Sequence, residues 1–200
     1  MVNNIKRKTK KKEAILEAAT KIFVRKGYKK TSIALIAKEA EASQVTLYKY
    51  YPSKISLARA VVIKLVIDGY TEYGQALNSS KKTFIEKMQD MMKSGVEKAD
   101  EISDDFVVFM YSEFKGQNGN DEVMKTYNAY KYNFWKNLLD QGRREGVISS
   151  KISDEGAMLY LDMFIGSLMS TNPIAEHDPI EIKKHESDLM QLFFYGIIGR

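Results

Sequence analysis

The stretch Ile15–Lys54, ILEAATKIFVRKGYKKTSIALIAKEAEASQVTLYKYYPSK, decides the fold of this 200-residue chain. Ile15, Ala18, Ala19, Ile22 and Phe23 recur at helical spacing and give a first helix one apolar face. Arg25 and Lys26 precede Gly27, so cations sit in the last turn and a glycine is free to take the left-handed position beyond it. Thr31 and Ser32 offer a hydroxyl cap to a second helix, whose inner face is Ile33, Ile36, Ala37 and Ala40. After Glu41-Ala42, Ser43 caps a third helix running to about Tyr51, and Pro52-Ser53 stops it. Three short helices joined by two tight turns make a helix-turn-helix, the unit that holds one helix in the major groove of DNA.

The third helix has two sides. Leu47 and Tyr51, four residues apart, suit a core, while Gln44, Val45, Tyr48 and Lys49 lie opposite. Glutamine bonds an adenine edge bidentately, lysine reaches guanine acceptors, and Val and Tyr touch thymine methyls. Thr46, Tyr50 and Lys54 flank that side with hydroxyl and ammonium donors suited to phosphate oxygens, which fix register rather than sequence. A small helical bundle with an ordinary surface is the plain alternative, but spacing, capping and charge agree independently on the first reading.

Charge is unevenly placed. Residues 1–60 hold fifteen Lys or Arg against four acids, and residues 61–200 hold sixteen against twenty-two, within an overall net charge of +5. A basic head on an acidic body concentrates attraction for DNA in one place. Ahead of the head lies an arm, Lys6-Arg7-Lys8 and Lys10-Lys11-Lys12, suited to phosphates or an adjacent minor groove and expected to be a solvated, disordered tail without DNA.

Across roughly Lys11 to Val62 the chain resembles the tetracycline-repressor (TetR) family of bacterial transcriptional regulators, most closely in TSIALIAKEA and TLYKYYPSK. The resemblance implies that Gln44, Val45, Thr46, Tyr48 and Lys49 face bases and that Thr31, Tyr50 and Lys54 hold phosphates. Three positions depart from the family's pattern. Ala34 stands where some members place a base-reading arginine, Val45 replaces a common glycine, and Glu41 stands where a glycine usually makes the turn. A left-handed Glu41 would carry strain of roughly 1–2 kcal/mol.

Strand signals are nearly lacking, so the fold class expected is all-α: a DNA-binding head over residues 1–54 and a helical ligand-binding and dimerisation domain over 55–200. Helices are predicted from Ser53 to about Leu77, Lys82 to Asp100, Asp104 to Lys115, Asp121 to Glu145, Asp154 to Ser170 and Pro179 to Ile198. The joints are polar and rich in turn residues, as in Gln117-Asn118-Gly119-Asn120. No apolar run reaches membrane-span length, and the basic N-terminus lacks the apolar segment of a signal peptide. With no cysteine, disulfides and thiolate chemistry are excluded, and a cytoplasmic location is expected.

The middle helices are rich in Met and aromatic residues: Met88, Met91 and Met92, then Phe106, Phe109, Met110 and Phe114, then Val123, Tyr127, Tyr130, Phe134 and Leu138 with Trp135 beside them. Such stripes serve a packed core or the wall of an apolar pocket. The family resemblance implies an inducer between these helices, which makes Met88, Met92, Phe106, Phe109, Met110, Tyr127, Tyr130, Phe134 and Trp135 the candidate lining. The last two helices, with Met158, Leu161, Phe164, Ile165 and Leu168 on one and Leu189, Leu192, Phe193, Ile197 and Ile198 on the other, suit a four-helix bundle between two copies, although burial within one copy uses the same pattern. Glu181, His185 and Asp188 share a face, a spacing far more common for surface ion pairs than for metal, and neither metal nor cofactor is expected. No phosphate loop, nucleophile elbow or carboxylate pair supports catalysis. The chain thus reads as a ligand-responsive dimeric repressor of an operator in double-stranded DNA. The alternative is a constitutive dimeric DNA-binding protein without an inducer.

Overall fold

A computed structural model describes residues 2–79, 81–168 and 177–198, with side chains left out at 2–5, 77–79, 96, 165, 167–168 and 197–198. The described residues form ten helices: α1 (Val2–Lys26), α2 (Ile33–Glu39), α3 (Gln44–Tyr50), α4 (Lys54–Ser79), α5 (Phe84–Glu101), α6 (Asp104–Phe114), α7 (Glu122–Arg144), α8 (Asp154–Leu168), α9 (Pro179–Lys184) and α10 (Glu186–Ile198).

The head closes as its turn chemistry dictates. Gly27 takes φ +87° and returns its N–H to the Phe23 carbonyl at 2.9 Å. The Ser32 hydroxyl accepts from the Leu35 amide, and that of Ser43 from the Thr46 amide at 3.0 Å. Glu41 adopts the left-handed conformation, φ 48°, that its place in the turn demands. The basic arm differs from expectation. It continues α1 as helix instead of fraying into a tail, because no glycine or proline interrupts it and lysine is a good helix former on an already nucleated helix. Two contacts tie its last turn to the head: Lys11 Nζ donates to the Glu41 carbonyl at 3.0 Å, and Lys12 Nζ lies 5.8 Å from the Tyr51 ring centre.

Two apolar cores follow. The first joins the inner faces of α1, α2 and α3 to Leu57, Ala58, Val61 and Val62 of α4, and takes in Phe106 and Phe109 of α6. Packing therefore crosses residue 54. The second gathers Phe84, Met88 and Met91 of α5, Phe134, Leu138 and Leu139 of α7, and residues of α8 and α10. Between them, α6 is bolted to the head. The Ser103 amide donates to the Val24 carbonyl at 2.8 Å, and Asp105 Oδ2 accepts from the Lys29 amide at 2.7 Å. A Cβ on Gly27 would stand 2.5 Å from that same oxygen, so the position needs glycine for space as well as for φ. Phe23 stacks on Phe106, and Tyr28 on Phe109 at 4.4 Å between ring centres. Further along α6, the fully buried Glu113 carboxylate accepts from Arg59 Nε at 2.5 Å and from Asn118 Nδ2 at 2.7 Å.

The C-terminal region corrects two expectations. The helix predicted over Pro179–Ile198 is two helices that bend at His185. Ile182 and Lys183 hold α9 against the α5–α6 corner, Lys183 Nζ donating to the Ile102 carbonyl, while Phe193 and Phe194 hold α10 in the second core; the two anchors pull in different directions. Met158, Leu161 and Phe193, expected on a dimer face, are buried within the chain, and Phe164 packs beside them. The exposed apolar stripe keeps Leu192 of that expected set and adds Leu159 and Met163 of α8 and Tyr195 of α10, each more than 60% exposed. The side chains of Ile165, Leu168, Ile197 and Ile198 lie outside the described residues.

Two stability outcomes follow. Glu41→Gly removes left-handed strain and adds glycine's greater unfolded-state freedom, for a net gain of about 1 kcal/mol and a thermal midpoint higher by about 2–4 °C. An unchanged or lower midpoint would refute the strain. Glu113→Ala leaves Arg59 uncompensated in a buried setting and costs about 3 kcal/mol or more, read as a lower urea midpoint; a loss below 1 kcal/mol would show the pair to be dispensable.

Candidate DNA-reading face and effector cavity

On α3 the pattern of side chains resolves into two faces. Leu47 is fully buried against the first core, and Tyr51 closes behind it. Gln44, Val45, Tyr48 and Lys49 all point to solvent, with Val45 81% exposed although it is β-branched and apolar. An exposed valine beside an exposed tyrosine contributes nothing to the head's core, and both are shaped for thymine methyls. Thr46 and Tyr50 are half-buried on the flanks, and the Thr46 hydroxyl lies 2.8 Å from that of Ser43, within the cap.

Lys54, the first residue of α4, lies with its ammonium 4.4 Å from the Tyr28 ring centre and 3.5 Å from the Lys29 carbonyl. Desolvation holds its pKa below the ordinary lysine range, with Asp105 acting in the other direction. Thr31 departs from its expected role. It is buried, and its hydroxyl donates to the Gly27 carbonyl at 2.6 Å, so that hydroxyl is committed to the turn and not displayed for a phosphate. Lys29 and Lys30 stand exposed on the same loop, and Tyr28, which carries Lys54 and stacks on Phe109, was not singled out in the sequence. Its signal was weak, since one tyrosine after a glycine is unremarkable until α6 is known to pass beneath it.

Below the head, α4, α5, α7, α8 and α10, with Phe114 at the end of α6, line a cavity of about 350 Å³. Of the candidate lining, Tyr127, Phe134 and Trp135 are there. The others are dispersed: Phe106 and Phe109 belong to the seam with the head, Met88 to the second core with Met92 packed against it, Tyr130 is 39% exposed, and Met110 faces a different cavity. These corrections share one cause. Helical spacing identifies an apolar face but not which neighbour that face meets.

The wall that sequence reasoning missed is α4, with Leu65, Val66, Gly69, Tyr70 and Tyr73. Those positions follow the three-and-four spacing of one helical face, a signal present in the sequence. Gly69 leaves the wall open, since a Cβ there would meet nothing within 4 Å. Tyr70 sits at the centre of an aromatic cluster, its ring 5.9 Å from Tyr127 and edge-on to Phe134 at 5.4 Å. Burial first, and then Tyr127, push its phenol pKa upward, so Tyr70 is a neutral hydrogen-bonding group in an apolar chamber.

Metal ligation has no support among the described residues, where no three His, Asp or Glu side chains group closely enough. Glu181 pairs with Lys184, and His185 Nδ1 lies 3.5 Å from Asp188. No helix among the described residues is long and apolar enough to cross a membrane.

Residues 15–61 match the sequence profile of bacterial regulatory proteins of the tetR family. The HTH-type transcriptional regulator YhgD of Bacillus subtilis is 24% identical over 183 residues, covering 92% of this chain and 94% of YhgD. Among solved structures, the Bacillus subtilis regulator FadR in complex with stearoyl-CoA is 18% identical with a TM-score of 0.57, covering 92% of this chain and 98% of its own. Thermus thermophilus FadR in complex with lauroyl-CoA is 21% identical with a TM-score of 0.56, covering 93% and 94%. The helical frame is shared at full length, and the sequence match centres on the head that carries the α3 face. Residues 15–61 therefore form a head of the kind found in bacterial regulatory proteins of the tetR family, on a helical frame shared with these solved structures.

Proposed function

We propose that this protein is a homodimeric repressor, released from a palindromic operator by a small apolar or aromatic effector held between α4 and α7. Gln44, Val45, Thr46, Tyr48 and Lys49 read bases in the major groove. Tyr50, Lys54 and the helical arm hold phosphates, while Thr31 serves the set by fixing the Gly27 turn beneath it. One observation carries the reading: α4 is a single helix whose first residue belongs to the phosphate set and whose middle walls the cavity. From Lys54 to Tyr70 is about 24 Å of rigid helix, so a ligand that tilts the wall moves the head.

The exposed stripe of Leu159, Met163, Leu192 and Tyr195 supports pairing through α8 and α10, because an apolar patch of that kind is costly to leave in water. A two-fold dimer presents two α3 helices about 34–36 Å apart, one turn of DNA. An effector that alters that spacing weakens both half-sites together. A cytoplasmic location follows from the need to reach DNA.

Selection of bound sequences from random duplex DNA tests the reading face. Wild-type protein is expected to enrich a palindrome, with Gln44→Ala and Lys49→Ala relaxing specificity at single positions within each half-site, each base contact being worth about 1–3 kcal/mol. Salt-dependent binding without an enriched sequence would instead favour a constitutive DNA-binding protein. Trp135, the only tryptophan, lines the cavity and reports its occupant by fluorescence in a screen of aromatic and aliphatic compounds that includes an acyl-CoA series. A hit is expected to weaken operator binding about 5- to 150-fold, and operator must weaken its binding by the same factor. Unchanged effector affinity on operator-bound protein would sink the coupling.

A further inference from the structure

A second cavity, also of about 350 Å³, lies between α5, α6, α8, α9 and α10, on the far side of Phe164 and Met190 from the first. Ala99, Ile102, Val107, Met110 and Leu189 make it apolar, yet Glu186, half-buried at the start of α10, is part of its lining. We propose that this second cavity is a binding site for an amphipathic organic cation, an amine or quaternary ammonium on an apolar body, with Glu186 as its counter-ion.

The charges around the cavity leave Glu186 alone. Two lysines line it, and both are engaged elsewhere: Lys183 Nζ donates to the Ile102 carbonyl at 2.7 Å and to Asp104 Oδ1 at 2.9 Å, and Lys98 Nζ donates to Glu72 at 2.6 Å. Glu186 accepts no hydrogen bond and joins no ion pair among the described residues. Asp100 stands near it and adds like charge. Burial, the neighbouring Asp100 and only a partial offset from Lys183 hold the Glu186 carboxyl above the usual carboxylate range, and Glu186 in turn helps burial push the Tyr111 phenol up to about 12. A half-buried carboxylate without a partner gains most from a cation that brings its own apolar surface, since such a ligand supplies the missing charge and displaces water from the walls together. An anion of the same shape meets repulsion, and a neutral molecule leaves Glu186 as it is.

The site is independent of the proposed effector cavity, and the experiment separates them. Decyltrimethylammonium, decanol and decanoate share one tail and differ in head charge; each is titrated calorimetrically, below its micelle concentration, into the intact protein. Wild type is expected to bind the cation about tenfold or more tighter than decanol, with decanoate weakest. Glu186→Gln is expected to bind cation and alcohol alike, and Val107→Trp, which fills the chamber from the α6 wall and keeps the carboxylate, to lose the cation. Gly69→Leu, which fills the first cavity instead, is expected to leave the cation preference in place. Melting curves confirm that each variant is folded, and either of the first two alone suffices. Absence of cation binding to wild type overturns the proposal. So does a preference that survives Glu186→Gln, or one that Gly69→Leu abolishes while Val107→Trp does not.

Discussion

Head and body meet where the Asp105 carboxylate accepts the Lys29 amide, in the space that Gly27 leaves by lacking a side chain. Everything that makes the molecule more than a DNA-binding unit on a stalk depends on this contact and the stacked rings beside it. Tyr28 on Phe109 and Phe23 on Phe106 extend the head's core into α6, and Arg59 on Glu113 pins α4 to the same helix. A head attached only through α4 would pivot about one helix, and a displacement at the cavity would dissipate there. With α6 holding the other side, α4 and α6 clamp the head between them.

The two cavities sit on opposite sides of this clamp. The first presses on α4 through Tyr70 and Tyr73, and the second on α6 through Val107 and Met110. Phe164 and Met190 line both and form a shared partition. The aromatic chamber holds a buried Tyr70 and the apolar chamber is lined in part by Glu186, so the two differ in chemistry. A ligand in either chamber could shift the head only by differential affinity for two arrangements of the clamp.

Much of the head was legible because its determinants are local. A serine before a helix, a glycine after one, and Glu41 in a turn that forces positive φ are each settled within a few residues, and the structure has each in the expected conformation. The α3 faces follow for the same reason, since the position of Leu47 in the core fixes where Gln44, Val45, Tyr48 and Lys49 must point. Thr31 is the instructive exception. A hydroxyl near a helix start looks available in sequence, but the Gly27 carbonyl had already claimed it.

Helix positions within the head, the polarity of head and body and the two faces of α3 were thus determined by the sequence alone, through periodicities and caps that act over single turns. Which apolar stripe meets which was decided only by the tertiary structure. Phe106 and Phe109 look no different in sequence from Phe134 and Trp135, yet the first pair welds α6 to the head and the second lines a chamber. The bend at His185, the exposure of Leu159 and Met163 in place of Met158 and Leu161, and the isolation of Glu186 share that origin. Each depends on contacts between residues tens of positions apart, where a helix's own period is silent about its neighbour.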